Sequence, residues 1–414
     1  MTRLLVIMGS GETTPTMIKP HRRIFELVGE GASAVLLDTP YGFQLNADEI
    51  SARTVGYFAQ SVGRKVDVVS WRTPPPPGLE RERALTALRS AGWIFAGPGS
   101  PTYALRQWRD TELPALLTQA EVLVFASAAA LTLGSHTIPV YEIYKAGIAP
   151  SWEPGLGLFA ELTGVPAVVI PHYDNAEGGH HDTRYCYLGE PRLSYLESCL
   201  PPDSLIVGVD EHTALLCDLE AGTASVVGNG GLTLRRNGSS VRHESGTALP
   251  LSHLGDLDAP SGSAAPVVPQ QVSAPAEPRP ATSLRIAAGE LEARFTAALD
   301  ARDLDGCVSA ALELEQVITD WTADTDVSDD ADHARGLLRG MILRLGDLAV
   351  AGVRDPAETV GPFVDALLDL RTRAREAKDF ATSDRVRDAL TGAGVEVRDT
   401  PDGPEWFWHN TSDS

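Results

Sequence analysis

Over the first 250 or so positions, short apolar runs alternate with stretches of helical periodicity. The runs at residues 4–8, 34–38, 66–69, 93–96, 122–125, 167–170 and 205–209 are dominated by Val, Ile, Leu and aromatic side chains. They are nearly continuous rather than alternating, which suits strands buried on both faces of a parallel sheet. Helical segments lie between most of them, so the pattern predicts a doubly wound, mostly parallel α/β sheet. Two later runs, 224–227 and 232–234, are followed by an Asn237-Gly238 turn. They predict an antiparallel meander or hairpin that finishes the sheet.

The pattern stops between about residues 249 and 282, where Pro260, Pro266, Pro269, Pro275, Pro278 and Pro280 stand among Ala, Ser and Gln. Such a segment cannot bury enough apolar surface to offset its ordering entropy, and an extended linker is expected. The predicted division is therefore an α/β domain over 1–248, a linker over 249–282 and a helical domain over 283–414. Ser283 is positioned to cap a helix with Leu284, Ala288, Leu291, Phe295 and Leu299 on one face. Further helices are expected over 305–321, 332–350, 357–378 and 382–393, then a strand at 395–397, a turn at 400–403 and Trp406.

A length of 414 residues with 43% hydrophobic and 22% charged positions leaves room for two or three packed domains. The net charge of −22 argues against broad electrostatic capture of nucleic acid or anionic membrane. Cys186, Cys199, Cys217 and Cys307 show neither CxxC spacing nor a framework pattern and are read as reduced thiols. The opening MTRLLVIMGSGE reads as a first strand rather than a signal peptide, and the apolar stretch 122–134 is too short to span a bilayer. A cytoplasmic protein without membrane contact is expected, and the sequence sets no oligomeric state.

In doubly wound sheets the reactive groups gather beyond the C-terminal ends of the strands. The run 122–125 leads into Ala126-Ser127-Ala128-Ala129-Ala130, where a strand-to-helix turn would expose the Ser127 hydroxyl. The run 167–170 leads into Pro171-His172-Tyr173-Asp174, and 205–209 leads into Asp210-Glu211-His212-Thr213. A serine, a histidine and a carboxylate thus arise at comparable strand ends, the trio that nucleophilic catalysis requires. Taken alone, a serine in that position is more often a cap or a packing residue. Cys186 follows no strand-to-helix turn and is not read as the nucleophile.

Several blocks here resemble the cyanophycinase and dipeptidase E family of serine peptidases, which have a class I glutamine amidotransferase-like fold. They are Gly9-Ser10-Gly11-Glu12, the stretch from Phe95 through Gly97-Pro98-Gly99-Ser100 to Tyr103, Ala126-Ser127-Ala128-Ala129-Ala130, His172, and Gly208 through Ala214. The likeness covers roughly residues 1–245. It implies Ser127 as nucleophile, His172 as base, Glu211 as the carboxylate that orients it, and the Gly99 and Ala128 N–H groups as oxyanion donors. Three positions depart from the family: Phe125 and Ala129 replace elbow glycines, and Pro98, which has no N–H, replaces a glycine beside the oxyanion donors. A small peptide or amide substrate and no cofactor are implied. The polar loop from His172 to Arg184 holds His180, His181 and several acids, but its spacing matches no zinc signature. It is read as pocket lining, with Arg184 or Arg192 holding a substrate carboxylate. Gly9-Ser10-Gly11-Glu12 has neither GxGxxG nor a Walker lysine and reads as a loop that approaches the site.

The C-terminal stretch contains Arg371, Ala374, Arg375, Lys378-Asp379-Phe380-Ala381, Ser383-Asp384, Arg387-Asp388, Leu390 and then Asp399-Thr400-Pro401-Asp402-Gly403 with Trp406. It resembles the extreme C-terminus of cysteinyl-tRNA synthetases, and the helices from Ser283 onward are similar, more weakly, to their anticodon-binding region. That resemblance implies tRNA contacts from Arg371, Arg375, Lys378 and Arg385. The opposing signal is charge: residues 283–414 hold 14 Arg and Lys against 27 Asp and Glu, a balance of −13. Neither a HIGH-like nor a KMSKS-like sequence occurs, so aminoacylation is not expected of these residues. Two functions follow: a serine hydrolase of peptide or amide bonds, or a silent binding or scaffold protein whose helical part docks a protein partner or tRNA.

Overall fold

The first seven apolar runs become strands that pair in parallel within two sheets. The computed structural model describes residues 3–29, 31–176, 181–202, 204–257, 283–322, 329–351, 356–400 and 403–408. Most of the expected linker, residues 258–282, lies outside the described residues, as do Glu177 to His180 of the polar loop. The strands are β1 (Leu4–Met8), β2 (Ala34–Leu37), β3 (Asp67–Val69), β4 (Trp93–Ala96), β5 (Val122–Ala126), β6 (His136–Thr137), β7 (Glu153–Pro154) and β8 (Ala167–Ile170). They continue with β9 (Leu205–Val209), β10 (Thr213–Asp218), β11 (Thr223–Gly228), β12 (Gly231–Arg236), β13 (Ser239–Glu244), β14 (Ala248–Pro250), β15 (Val395–Thr400) and β16 (Gly403–Trp408).

Among the described residues, eight strands form one sheet in the order β14-β11-β10-β1-β5-β4-β2-β3, and four form another in the order β13-β12-β9-β8. The pairs β1–β5, β5–β4, β4–β2 and β2–β3 are parallel, as is β8–β9. This is the expected α/β class, a parallel core with antiparallel flanks. The core explains the unbroken apolar runs: Leu5, Ile7, Leu123 and Phe125 pack on one face of the large sheet, and Leu4, Val6, Val122 and Val124 on the other. Each such side chain contributes about 1.5–3 kcal/mol on burial.

The end of the domain differs from the sequence expectation. Residues 224–227 and 232–234 do not finish one sheet together. β11 pairs with β10, while β12 pairs with β9 and folds back on β13 about Asn237-Gly238. The sequence does not mark β10, because its apolar run follows the acidic Asp210-Glu211 after a gap too short to suggest a new strand. The consequence is functional. The three residues Asp210 to His212 form a tight connection from β9 of the small sheet to β10 of the large one, which pairs antiparallel with β1.

The chain divides into two compact units, Met1–Ala287 with Gln316–Ala334, and Ala288–Glu315 with Arg335–Ser414. The helical pattern appears as helices Leu284–Asp300, Leu304–Asp320, Asp330–Ala351, Pro356–Glu376 and Phe380–Gly392. Leu284, Ala288, Leu291 and Phe295 are buried along the first of these, the face the sequence predicts. In the second unit, Val364 and Leu368 of helix Pro356–Glu376 pack with Leu390 and Val395, and the β15–β16 hairpin brings Trp406 to the same cluster. Among the described residues no helix is long and apolar enough to cross a membrane.

Candidate active site

Parallel register sets Ala126, at the end of β5, beside Met8 of β1, and Ile170, at the end of β8, beside Gly208 of β9. The residues that follow these ends are Ser127, His172 and Glu211. Ser127 opens the short helix Ser127–Leu131 with a left-handed φ of 48°, and His172 has φ of 49°. A β-carbon in that region is strained by about 1 kcal/mol or more. The Ser127 hydroxyl lies 2.9 Å from His172 Nε2, and His172 Nδ1 lies 2.8 Å from Glu211 Oε1. Both distances are hydrogen bonds.

His172 is buried and Glu211 mostly so. Burial alone would push the Glu211 carboxyl up. The His172 hydrogen bond and charge, with the Asn175 amide and the His212 charge, outweigh it and hold Glu211 below the usual carboxylate range. The neighbouring motif residues are spent elsewhere. Asp210 is fully buried and accepts from the Gly231 N–H at 2.8 Å and from Arg242 at 2.6 Å, while His212 Nδ1 meets Thr16 Oγ1 at 2.9 Å. Glycine at position 9 is required by this turn, since a β-carbon there would sit 1.9 Å from the Asp210 carbonyl oxygen. The Gly9 to Glu12 loop therefore packs on the connection that carries Glu211, the close approach its composition suggests.

Ser127 and His172 open onto a cavity of about 420 Å³. Pro98, Gly99 and Ala128 line it beside Ser127. Among the described residues the Gly99 and Ala128 N–H groups form no backbone hydrogen bond outside their own elements. Gly99 sits at φ of 137°, where a β-carbon would meet the Pro40 carbonyl oxygen at 2.1 Å. The Pro40 to Gln44 segment contributes Tyr41 and Gln44 to the lining. Phe125 does not crowd the elbow: its ring is buried in the core 5.6 Å from Trp108. Ala129 is likewise fully buried, and its N–H donates to the Gly97 carbonyl at 3.2 Å.

Arg184 and Arg192 do not line this cavity. Arg184 forms a two-pronged exposed pair with Asp182 at 2.8 and 2.9 Å, and Arg192 is exposed with Nη1 3.5 Å from the Leu188 carbonyl oxygen. Among the described residues the cations that line it are Arg53, on helix Ala47–Tyr57, and Lys145, just after helix Val140–Tyr144. Nothing in the sequence singles these out, because each is one basic residue on an ordinary helix. Cys186 also lines the cavity, but it is buried and its thiol is pushed far up by burial, so it stays protonated. No group of three or more metal-ligating side chains occurs among the described residues. Within the polar loop, Asp182 pairs with Arg184, and His181 stacks near Tyr144.

In the second unit, Arg371 is buried and donates to both oxygens of Asp399 at 2.7 and 2.9 Å, with Arg375 adding a contact at 3.0 Å. The Arg371 bond, with the charges of both arginines, lowers the Asp399 carboxyl to about 2. These two arginines brace helix Pro356–Glu376 against the hairpin. Lys378 and Arg385 are exposed, Arg385 with weak contacts to Ala381 and Thr382 at 3.3 Å.

A peptidase from an acI-B1 Actinobacterium has a solved structure similar to this one at 20% identity and a TM-score of 0.48, covering 60% of this chain and 97% of that chain. A structure described as a peptidase E protein of Listeria monocytogenes EGD-e is similar at 12% identity and a TM-score of 0.35, covering 57% of this chain and 99% of that one. Cysteine–tRNA ligases share a shorter stretch: that of Chlorobaculum tepidum is 37% identical over 75 residues, and that of Leifsonia xyli subsp. xyli 34% identical over 116 residues. These matches cover 18% and 26% of this chain but span only 15% and 24% of the ligases' own length. Residues 359–406 match the cysteinyl-tRNA ligase anticodon binding domain, the segment in which helix Pro356–Glu376, helix Phe380–Gly392 and the β15–β16 hairpin share one core.

Proposed function

We propose that the α/β part of this protein is a serine hydrolase that cleaves a peptide or amide bond in a small substrate. The observation that carries this is the hydrogen-bonded series Ser127 Oγ, His172 Nε2, His172 Nδ1, Glu211 Oε1, with steps of 2.9 and 2.8 Å at the mouth of a cavity. Ser127 Oγ attacks the carbonyl carbon while His172 Nε2 takes its proton, and Glu211 stabilises the imidazolium. The Gly99 and Ala128 N–H groups receive the oxyanion. On collapse, His172 returns the proton to the leaving amine. A water, deprotonated by the same nitrogen, then releases the acyl group. The cavity volume of about 420 Å³ suits a small substrate, and Arg53 and Lys145 favour one with an anionic group.

A fluorophosphonate probe tests this directly. Labelling of the wild type and none of Ser127→Ala is the expected result. A folded wild type that stays unlabelled refutes the hydrolase and leaves a binding or scaffold role.

For residues 359–406 the matched family favours a second role, contact with tRNA or a protein partner. The salt bridges of Arg371 and Arg375 to Asp399, together with the acidic balance of residues 283–414, favour the protein partner. A gel shift of tRNA by the full chain at low salt, lost in Lys378→Glu/Arg385→Glu, would overturn that preference.

A further inference from the structure

We propose that Asn175 is a positioning residue that fixes Glu211 for its work on His172. The proposal rests on the reading of Ser127, His172 and Glu211 as the reacting groups, and it adds a residue that neither composition nor spacing marks. Asn175 is fully buried, and its Nδ2 donates to Glu211 Oε1 at 2.9 Å. That is the same oxygen that accepts from His172 Nδ1 at 2.8 Å. Its neighbour Asp174 accepts from the Glu211 backbone N–H at 2.7 Å. The four residues His172 to Asn175 thus form a clasp: side chains at its two ends converge on one carboxylate oxygen, and Asp174 holds the backbone behind it.

The clasp is itself fixed. The Asn175 N–H lies 3.3 Å from the His172 carbonyl oxygen, which also accepts from the Cys186 N–H at 3.0 Å, and Thr183 Oγ1 donates to the Asn175 carbonyl at 3.3 Å. A carboxylate with only one donor could rotate about its terminal bond and swing Oε1 away from the imidazole. Two donors on Oε1 remove that freedom. An amide also suits the task because it donates without being an acid, so it gives up no proton to Glu211 and the carboxylate remains the anionic partner when His172 takes up the Ser127 proton. The groups facing Glu211 are His172, Asp174, His212 and the Cys186 thiol, which burial keeps neutral.

The experiment uses the full chain with Asn175→Ala and Asn175→Asp. The first readout is the fluorophosphonate labelling rate from pH 5 to 9, expressed relative to wild type at each pH so that effects common to both proteins cancel. Asn175→Ala should label about tenfold more slowly or worse at every pH, the effect of one lost charge-assisted hydrogen bond. Asn175→Asp should behave differently. At acid pH its protonated carboxyl can donate to Glu211 Oε1 as the amide does. As pH rises, two facing carboxylates cannot both ionise without repulsion. Its relative rate should therefore fall by at least tenfold across the range, a trend that a merely structural role would not produce.

The second readout does not depend on hydrolysis. In a sample labelled with nitrogen-15 at histidine, the His172 Nδ1–H resonance should be sharp in wild type and broadened by water exchange in Asn175→Ala. An unlabelled wild type with this broadening keeps Asn175 as the residue that positions Glu211 while the hydrolase reading fails. An unchanged resonance in Asn175→Ala, or a flat relative rate for Asn175→Asp, overturns the proposal.

Discussion

Replacing Glu211 with glutamine separates its charge from its geometry. Glutamine has the same shape, and its Oε1 would still face two donors, His172 Nδ1 at 2.8 Å and Asn175 Nδ2 at 2.9 Å. Flipping the amide would set an NH2 group against the Asn175 NH2 group and leave buried donors unpaired, at a cost of about 1–3 kcal/mol. The oxygen therefore keeps facing His172, the imidazole keeps its proton on Nδ1, and Nε2 stays free to act as base on Ser127. What disappears is the attraction between the imidazolium and the carboxylate. At charge centres about 4 Å apart and an effective dielectric of 20, that attraction is about 4 kcal/mol, or about three decades of rate. The assay is the second-order rate of fluorophosphonate labelling in Glu211→Gln at pH 8, with thermal melts as the folding control. A loss below about tenfold in a folded variant would refute the view that Glu211 acts through its charge. Glu211→Gln/Asn175→Ala frees the amide to flip and fixes the wrong tautomer, so it should lose more than the two single losses multiplied.

Two predictions concern stability. His21 is fully buried among Tyr57, Phe58, Trp93 and Phe95 with Nε2 2.8 Å from the Glu12 carbonyl oxygen, and burial lowers it to about 4 against a weaker opposing effect of that bond. Because the unfolded chain takes up this proton first, near pH 6.5, stability should fall as pH drops from there towards 4, by up to about 3 kcal/mol. Urea midpoints at pH 7.5 and 4.5 should show a smaller acid loss in His21→Phe, and an equal loss in both proteins would exclude His21 as the cause. In the second unit, Arg371→Ala should destabilise by about 1–3 kcal/mol, because it removes a buried side chain and its two-pronged contact with the half-exposed Asp399. Exposed Lys378→Ala should stay within about 0.5 kcal/mol of wild type by thermal melting.

The parallel core was legible because strands buried on both faces must be apolar at every position, and β1, β2, β4, β5, β8 and β9 have that composition. The helical second half was legible for a similar reason, since Leu284, Ala288, Leu291 and Phe295 recur at helical spacing and are buried. The sheet assignment of β11 and β12 was not, because nothing local tells a strand which neighbour it will pair with. Of the candidate site, the residues at strand ends were readable from the rule that loops after parallel strands converge. Arg53, Lys145 and Tyr187 reach the cavity from helices and a turn whose placement depends on tertiary packing. Asn175 stood inside a polar loop of metal-like composition, and only the direction of its side chain separates it from the loop's other polar residues.

The elbow poses a last question: how a chain with Phe125 and Ala129 in place of glycines holds its serine at φ of 48°. Glycine would lower the cost of crowding by removing side chains, whereas this protein turns the side chains inward. Phe125 fills the core beside Trp108, and Ala129 lies in the same cluster while its N–H reaches the Gly97 carbonyl. Left-handed backbone outside glycine is concentrated here, at Ser127, His172, His212 and the consecutive Tyr185, Cys186 and Tyr187. Each costs of order 1–3 kcal/mol, so surrounding packing must impose it. Tyr185 and Cys186 donate their N–H groups to the Tyr173 and His172 carbonyls at 2.9 and 3.0 Å, so the strained turn braces the strained histidine. Restoring glycine by Phe125→Gly should therefore not improve the elbow. It should cost about 3–5 kcal/mol for the lost ring and about 1 kcal/mol more for backbone freedom, and slow labelling of Ser127 in parallel. A Phe125→Gly protein that melts like wild type and labels faster would mean that glycine freedom, and not inward packing, is what the strained serine needs.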